Sequence, residues 1–325
     1  MKLGVFDPIY AALDFEPMLD RIAAIGLDAV ELGCGGYPGD RHCRPAELLA
    51  DNDALGRFRD AVKSRGLIIS ALSCHGNPVH PDRDRAARDD ATFRDAVRLA
   101  ERLGIAAINV FSGQPGSDRA AREPSWVIHT WPSEYADILR WQWDDVLLPY
   151  WRDAGSFARE HGVNLAFEMH PNFAVYNPRT QLRLLAASGD VVGVNMDPSH
   201  LFWHGIDPLV AIRDLAGAIY HVDAKDTHID PHLVARNGVL DVPPGMAPAD
   251  RPWFFRSVGD GNGLLFWRRF VAALRMAGYD GVISIEHEDA LASTDEGIAR
   301  AVATLRAAIL TEPAGPIVVT PGATA

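Results

Sequence analysis

The sequence contains little cysteine and no long apolar run. Its 325 residues include only three cysteines, at positions 34, 43 and 74, without a CxxC spacing. This content argues against a disulfide framework and predicts a reducing, cytoplasmic environment. No apolar stretch approaches the roughly 20 residues needed to cross a bilayer, and the opening MKLGVFDPIY is not typical of a signal peptide. We therefore expect a protein with no membrane partner.

Basic residues are outnumbered by acidic ones. Lysine and arginine total 31 against 43 aspartates and glutamates, which gives a formal net charge of -12 at pH 7. Because proteins that bind a nucleic-acid backbone usually present a basic face, we expect no nucleic-acid partner and a small, neutral or weakly charged substrate. Apolar residues make up 48% of the chain and charged residues 23%, a balance typical of a globular protein.

Short apolar runs alternate with helical patterns along the chain and form eight strand–helix units. The strands are predicted at residues 2–7, 29–33, 67–73, 105–111, 164–170, 192–200, 218–226 and 282–288. Nearly continuous apolar runs are typical of parallel strands covered on both faces. No GxGxxG motif follows the first strand, as an open doubly wound nucleotide-binding sheet would require. The pattern therefore predicts an α/β fold, the (β/α)8 TIM barrel.

Two connections are much longer than the others. Ser112–Pro132 follows the fourth strand, and His228–Gly263 follows the seventh. Loops of this length are uncommon and often functional, and both should lie at the carboxyl end of the barrel. Since no linker is visible, we expect a single domain, with a catalytic barrel over residues 1–310 and a C-terminal tail rich in Pro, Gly and Ala at 311–325.

Four strands end in side chains that can bind a metal: Glu168, Asp197, His221 and Glu286. The carboxyl ends of barrel strands meet at one rim, where ligands bind. Oxygen ligands with one imidazole suit Mn, Mg or Co. Such a metal would polarise a carbonyl, and two of the carboxylates would exchange a proton at the neighbouring carbon. Polar strand ends are also common without converging, so each residue taken alone has a structural alternative.

Five short motifs accompany these strand ends: ALSCHGNP, FEMHP, NMDPSH, YHVDAKD and SIEHED. Through them the chain resembles, over nearly its whole length, the xylose-isomerase-like superfamily of sugar phosphate isomerases and epimerases. That superfamily includes ketose 3-epimerases, inosose dehydratase and endonuclease IV. The resemblance implies that Glu168, Asp197, His221 and Glu286 bind one divalent metal, with Mn first and Co or Mg as alternatives. It also implies that Glu168 and Glu286 are catalytic and move a proton, one on each face of the substrate.

Further residues are candidates for substrate binding: His75, His200, Arg256, Asp223, Lys225 and His129. The first three correspond to substrate contacts of the superfamily. Asp223 and Lys225 follow His221 closely and would orient that ligand or the substrate. His129 lies between two tryptophans on the loop after the fourth strand, where an aromatic lid would cover a sugar. The structural alternatives are a hydrogen-bonded histidine for His200, a solvent-exposed arginine for Arg256 and, for His129, a loop that packs on its own barrel.

The chain departs from two specialised subgroups. Ketose 3-epimerases usually have a second glutamate six residues after the glutamate of the fifth strand, and this chain has Ala174 there. Endonuclease IV needs additional histidines for its zinc ions, and an acidic chain suits DNA poorly. The loop after the seventh strand is also longer than in the compact epimerases. The resemblance therefore leaves the reaction open.

Three functions follow from these observations. The first is a metal-dependent isomerase or epimerase that transfers a proton alpha to the carbonyl of a keto-sugar through an enediolate. The second is a lyase that cleaves C- or O-linked 3-oxo-glycosides after the same proton abstraction, because the chain also resembles the catalytic subunits of bacterial C-glycoside deglycosidases. That lyase would need a small partner subunit. The third is a non-catalytic metal-binding barrel subunit. Homo-oligomers are frequent in the superfamily and are possible for each.

Overall fold

Eight parallel strands close into a barrel in this computed structural model, which describes residues 1–313 and 315. Going around the barrel, β10 follows β7 and closes on β1, while β8 and β9 form a separate antiparallel pair. The strands are β1 Lys2–Phe6, β2 Ala29–Gly36, β3 Ile68–His75, β4 Ala107–Val110, β5 Asn164–Glu168, β6 Val192–Met196, β7 Ile219–Ala224, β8 Asp226–Ile229, β9 Trp253–Arg256 and β10 Val282–Ile285. This architecture confirms the predicted single-domain TIM barrel.

Helices cover the outside of the barrel, because the outward faces of the strands are apolar and need a second layer. They are α1 Phe15–Ala24, α2 Pro45–Ala50, α3 Asn52–Ser64, α4 Arg83–Leu103, α5 Glu134–Trp141, α6 Leu148–Glu160, α7 Pro178–Ser188, α8 Pro198–Trp203, α9 Pro208–Asp214, α10 Pro231–Asn237, α11 Leu264–Met276 and α12 Thr294–Ala308. A π-helical turn, Gln142–Leu147, joins α5 to α6. No helix in the described part of the chain has the length and apolar character to cross a bilayer.

The apolar pattern at residues 45–65 indicates one helix, but the structure has two. Asp51 is extended, and its carboxylate accepts hydrogen bonds from the backbone N–H groups of Asp53 and Ala54, at 2.9 and 3.0 Å. An aspartate in this position starts a helix by satisfying donors that the first turn leaves free. Of the predicted C-terminal tail, residues 314 and 316–325 lie outside the described residues.

The core lies between the strands and the helices, and its largest side chains also bind the long loops. Trp151 is buried, and its indole N–H donates to the carbonyl of Ser112, at the start of the loop after β4, at 2.9 Å. Trp267 is buried, and its indole N–H donates to Asp226 at 3.2 Å. Asp226 also accepts hydrogen bonds from Gly259 and Asn262, near the end of the insertion that carries β8, α10 and β9. The core thus fixes the start of the loop after β4 and both ends of the long loop after β7.

Candidate active site

A cavity of about 520 Å³ opens at the carboxyl end of the barrel. Strand ends and the loops after β2, β4 and β5 form its walls. The histidines, acids and lysine that line it are His75, Glu168, His170, Lys225, Glu286, His287 and Glu288. Both candidate catalytic residues therefore line one cavity.

Glu168 ends β5 and lies at the centre of a buried polar group. Its Oε2 atom is 3.3 Å from His75 Nε2, and its Oε1 atom is 3.3 Å from His200 Nε2. The same His200 atom lies 3.4 Å from Asp197 Oδ2. Asp197 begins α8, where its carboxylate accepts 2.8 Å hydrogen bonds from the backbone N–H and the hydroxyl of Ser199. The structure thus brings together four side chains that were predicted separately as metal ligands or substrate contacts.

Burial shifts the pKa values of these four side chains. Desolvation raises the pKa of Glu168, and the charges of Glu286 and Asp197 raise it further. Desolvation also raises the pKa of Asp197 to about 6. It lowers the pKa of His75 to about 3 and that of His200 well below its usual value. Both imidazoles are therefore neutral near pH 7, and each has one ring nitrogen that donates and one that accepts.

Glu286 follows β10 and is held by a buried lysine. The ammonium group of Lys225 donates to Glu286 Oε1 at 2.8 Å and to Glu288 Oε1 at 2.7 Å, and it lies 4.3 Å from the ring centroid of Phe255. Desolvation raises the pKa of Glu286 to about 8, although Lys225 opposes that shift. Lys225 thus fixes the orientation of the Glu286 carboxylate in the cavity.

His221 lies deeper in the barrel than the other three predicted metal ligands. It pairs in register with Asn195, and its ring lies 3.1 Å from Asn195 Oδ1 and 3.8 Å from Glu31 Oε2. Its ring makes no ion-pair contact with those three ligands in the described part of the chain. The structure instead groups His221 with Glu31 and Asp223.

Asp223 lies on β7 two residues nearer the carboxyl end than His221. Its Oδ2 atom accepts a 2.5 Å hydrogen bond from Asn195, and its Oδ1 atom has no hydrogen-bond partner among the described residues. Desolvation raises the pKa of Asp223, and the charges of Glu31, Glu286 and Glu168 raise it further. Desolvation lowers the pKa of His221, and the charge of Glu31 opposes that shift. Asp223 is thus the β7 side chain that interacts with the acids of the cavity.

Two predicted substrate contacts lie away from the cavity. Arg256, on β9, donates from Nε to Asp289 at 3.1 and 3.2 Å and from a terminal nitrogen to Asp260 at 3.3 Å. His129 is exposed on the loop after β4, where its ring accepts a 3.2 Å hydrogen bond from the backbone N–H of Trp131. Neither side chain is part of the cavity lining.

Four aromatic residues that sequence reasoning did not single out line the same cavity. Phe6 ends β1, and Phe111 directly follows β4. Tyr37 and Phe173 belong to the loops after β2 and β5. The only signal for them was their position at or just beyond predicted strand ends, which many aromatic residues share.

Two groups of three side chains in the described chain have ligand atoms close enough to hold one metal ion. The ligand atoms of each group lie within 4.8 Å of one another. The first group borders the cavity and consists of Glu168, His170 and His200, and the second is buried beneath it and consists of Glu31, His221 and Asp223. The first group includes His170, which is not among the site residues predicted from the sequence.

Comparisons with known proteins agree with the barrel fold. A family model described as "Xylose isomerase-like TIM barrel" matches residues 19–308. The uncharacterized protein YfiH of Bacillus subtilis (strain 168) is 38% identical over 312 residues, which cover 95% of this chain and 99% of YfiH.

Two solved structures share the fold at low sequence identity. The 3-keto-D-glucoside 4-epimerase YcjR from E. coli has a TM-score of 0.63 at 14% identity, over 94% of this chain and 99% of YcjR. The IOLI protein, crystallised with a zinc atom, has a TM-score of 0.62 at 18% identity, over 94% of this chain and 96% of that protein. Most such neighbours are sugar-modifying enzymes. The chain belongs to the xylose isomerase-like TIM barrel family.

Proposed function

We propose that the protein is a divalent-metal-dependent sugar isomerase or epimerase, which transfers a proton at the carbon alpha to the carbonyl of a keto-sugar. The observation that carries this proposal is a pair of carboxylates, buried Glu168 and half-buried Glu286, at the ends of different strands in one cavity. A catalytic acid or base works best when its pKa lies near the working pH, and burial raises the pKa of both residues. Membership in a family of mostly sugar-modifying enzymes supports the reaction class.

The donor atoms at the rim of the barrel fit a divalent cation. Glu168 and Asp197 are buried carboxylates and Glu286 is half-buried, and desolvation raises the pKa of all three. From β7 we propose Asp223 as the fourth ligand in place of His221. Its Oδ1 atom, 3.4 Å from His221 Nδ1, has no hydrogen-bond partner among the described residues, and the charges of Glu286 and Glu168 raise its pKa.

Four carboxylates form a hard, oxygen-rich set that suits Mn or Mg, with Co as a further alternative. We keep Mn as the proposed metal. When bound, a divalent cation supplies Lewis-acid polarisation of the substrate carbonyl. The zinc atom in the IOLI structure supports a divalent metal in a protein of this fold.

The side chains of the protein carry the proton transfer. Glu168 and Glu286 are proposed to remove and return the proton, one on each face of the substrate. His75 and His200 lie 3.3 Å from Glu168 and are proposed to bind substrate hydroxyls as neutral imidazoles. Lys225 is a positioning residue, because it donates directly to the Glu286 carboxylate at 2.8 Å.

The test combines metal analysis with isotope exchange. Purified protein is loaded with Mn, and its metal content per chain is measured. It is then incubated in D2O with free ketoses and 3-oxo-glucosides. We expect one Mn per chain and deuterium at the carbon alpha to a carbonyl. A folded protein that holds no divalent metal and exchanges no deuterium would overturn the proposal and favour the non-catalytic subunit.

A second candidate is the 3-oxo-glycoside lyase, which shares the first step. After removal of the alpha proton, the bond at the anomeric carbon breaks and the aglycone leaves with the electron pair. The aromatic residues that line the cavity favour this candidate, since they would contact an aglycone. Product analysis separates the two, because an epimerase yields an epimer and a lyase releases the aglycone. A lyase that needs a small partner subunit would also be inactive as the isolated chain. A cytoplasmic location and a homo-oligomeric state remain parts of the proposal.

A further inference from the structure

The cavity has two chemically different parts. One part carries the carboxylates and histidines of the proposed reaction. The other part is apolar and consists of Phe6, Pro8, Ile9, Tyr37, Phe111 and Phe173. A keto-sugar has polar groups around its whole ring, so proton transfer alone does not explain an apolar part of this size.

Phe173 is built into the apolar part by its backbone. Its ring stacks on Phe111, with centroids 4.2 Å apart and an interplanar angle of 28°. The preceding residue, Asn172, has a φ of 67°, a left-handed conformation that non-glycine residues rarely adopt. The carbonyl of Phe173 accepts a 2.9 Å hydrogen bond from the indole of Trp126, and the N–H of Ala174 donates to Gly113 at 3.1 Å. These contacts fix the position of the Phe173 ring in the cavity wall.

Tyr37 extends the apolar part toward solvent. Its ring centroid lies 6.0 Å from that of Phe111 and 5.9 Å from that of Phe173, yet 60% of the residue is exposed. Its backbone N–H donates to the carbonyl of His75 at 3.1 Å, which fixes the loop beside β3. The rings of Tyr37, Phe111 and Phe173 therefore form a continuous surface, here called the aromatic wall, from the depth of the cavity to its mouth.

The charges around the cavity disfavour an anionic group on the substrate. Lys225 is the only lysine or arginine among the described lining residues, and both its ion pairs, of 2.8 and 2.7 Å, are made with glutamates that line the same cavity. Glu168 adds a third carboxylate. A phosphate or carboxylate substituent beside these residues would meet like charges and, among the described lining residues, no lysine or arginine without an ion pair, which costs binding energy in a buried site.

We propose that the natural substrate is an uncharged keto-sugar that carries a flat, apolar substituent, such as an aromatic aglycone. Its sugar ring would lie against the carboxylates, and its substituent against the aromatic wall. This inference rests on the proposed function, and it adds the substrate class. A cavity of about 520 Å³ falls within the range of roughly 300–1,000 Å³ typical of sites for drug-sized ligands, so it has room for both parts.

The test uses the Mn-loaded full chain and three probes: phenyl 3-oxo-glucoside, methyl 3-oxo-glucoside and 3-oxo-glucose 6-phosphate. Binding is measured by calorimetry, and kcat/KM by deuterium uptake from D2O. We expect the phenyl glycoside to bind about 10-fold more tightly than the methyl glycoside, since an aromatic contact adds measurably to area burial. We expect the phosphate to bind most weakly.

Tyr37→Ala tests the wall itself, and Tyr135→Ala is the matched control on α5, outside the cavity lining. We expect Tyr37→Ala to reduce the phenyl-over-methyl preference about 5-fold and Tyr135→Ala to leave it unchanged. Equal affinity of the phenyl and methyl glycosides, or an equal loss for both in Tyr37→Ala, would mean that the wall stacks on the sugar ring and would overturn the inference. Preference for the phosphate would do the same. If no probe exchanges deuterium, the proposed function fails, while the binding preference still decides the substrate class.

Discussion

The barrel contains two polar clusters that use similar side chains for different purposes. The rim cluster consists of His75, Glu168, Asp197, His200 and Glu286. The deep cluster consists of Glu31, Ser73, Asn109, Asn195 and His221. In the deep cluster, Ser73 and Asn109 donate to Glu31 at 2.5 and 2.9 Å, and the Asn109 amide lies 3.1 Å from the ring of His221.

The rim cluster differs in its histidines. Within the described residues, His75 Nε2 and both ring nitrogens of His200 are buried without a hydrogen-bond partner, whereas the atoms that lack one in the deep cluster are the oxygens Glu31 Oε2 and Asn109 Oδ1. Buried polar atoms normally find partners, and those that do not call for a ligand, a water or a catalytic role. The comparison teaches that the depth of a residue along its strand, rather than its chemical type, separates the candidate active site from polar packing. Asp223 contacts the deep cluster, because Asn195 donates to it at 2.5 Å and its Oδ1 atom lies 3.4 Å from His221 Nδ1.

The largest expected effect is at Glu286 of the rim cluster. Glu286→Gln keeps the shape of the side chain and removes its ability to accept a proton. We expect deuterium exchange to fall by about 10²–10⁴-fold, the usual contribution of a general acid or base, with an unchanged circular dichroism spectrum. The matched control is Glu288→Gln, which also removes a carboxylate bonded to Lys225 and should lose far less activity. Exchange at the wild-type rate in Glu286→Gln would remove Glu286 from the mechanism.

Separate substitutions of two β7 residues, Asp223 and His221, test which of them binds the metal. We expect Asp223→Asn to weaken Mn binding by at least 10–100-fold, the loss that even a residue supporting a ligand typically causes. His221→Asn should change Mn affinity only a few-fold, because its ring contacts Asn195 and Glu31 of the deep cluster. Competition titration with a chelator measures both. The reverse ranking would return His221 to the metal site.

The sequence was sufficient for the barrel and for most of the residues at its rim. Continuous apolar runs predicted the parallel strands. Of the polar residues predicted at the strand ends, Glu168 and Glu286 line the cavity. The same pattern could not decide which β7 residue reaches the cavity. Side chains two residues apart lie on the same face of a strand, and His221 and Asp223 are both polar. Their difference in depth depends on the register with β6 and β10, where Asn195 pairs with His221 and Ser284 pairs with Asp223.

The aromatic wall and the environment of the long loops were not predictable in the same way. Loops have no hydrophobic period from which a side-chain contact can be predicted. The stacking of Phe173 on Phe111 depends instead on the left-handed backbone at the preceding residue, Asn172. His129 was expected at the substrate because tryptophans flank it. One of them, Trp126, instead donates from its indole to the carbonyl of Phe173 and so supports the wall.

A smaller effect is expected from the deep cluster. Asn109→Ala removes the amide that donates to Glu31 and Ser73, and a buried acceptor that loses its donor costs about 1–3 kcal/mol. We expect the free energy of unfolding in urea to fall by about 2–3 kcal/mol, while Mn affinity stays within about 3-fold. Asn237→Ala, an exposed position at the end of α10, should stay within about 0.5 kcal/mol. A large loss of Mn affinity in Asn109→Ala would mean that the two clusters are one site.

The smallest effect contrasts two acids of one motif, SIEHED. Glu286 lines the cavity, whereas Asp289, three residues on, accepts hydrogen bonds from the N–H and hydroxyl of Ser257, the N–H of Leu291 and the guanidinium of Arg256, at 2.8–3.1 Å. Burial alone would raise the pKa of Asp289, but these hydrogen bonds outweigh it and lower the pKa to about 2.

A carboxyl whose pKa is lower in the folded state than in the unfolded chain stabilises the fold above its unfolded pKa, and this contribution disappears as the pH falls through the folded value. Asp289→Asn should therefore lower the free energy of unfolding by about 1–2 kcal/mol at pH 6, a range that allows for partial screening by solvent. The difference from wild type should shrink between about pH 4 and pH 2. Urea unfolding at pH 6 and pH 3 measures it, and a difference that is equal at both pH values would mean that Asp289 contributes through packing rather than charge.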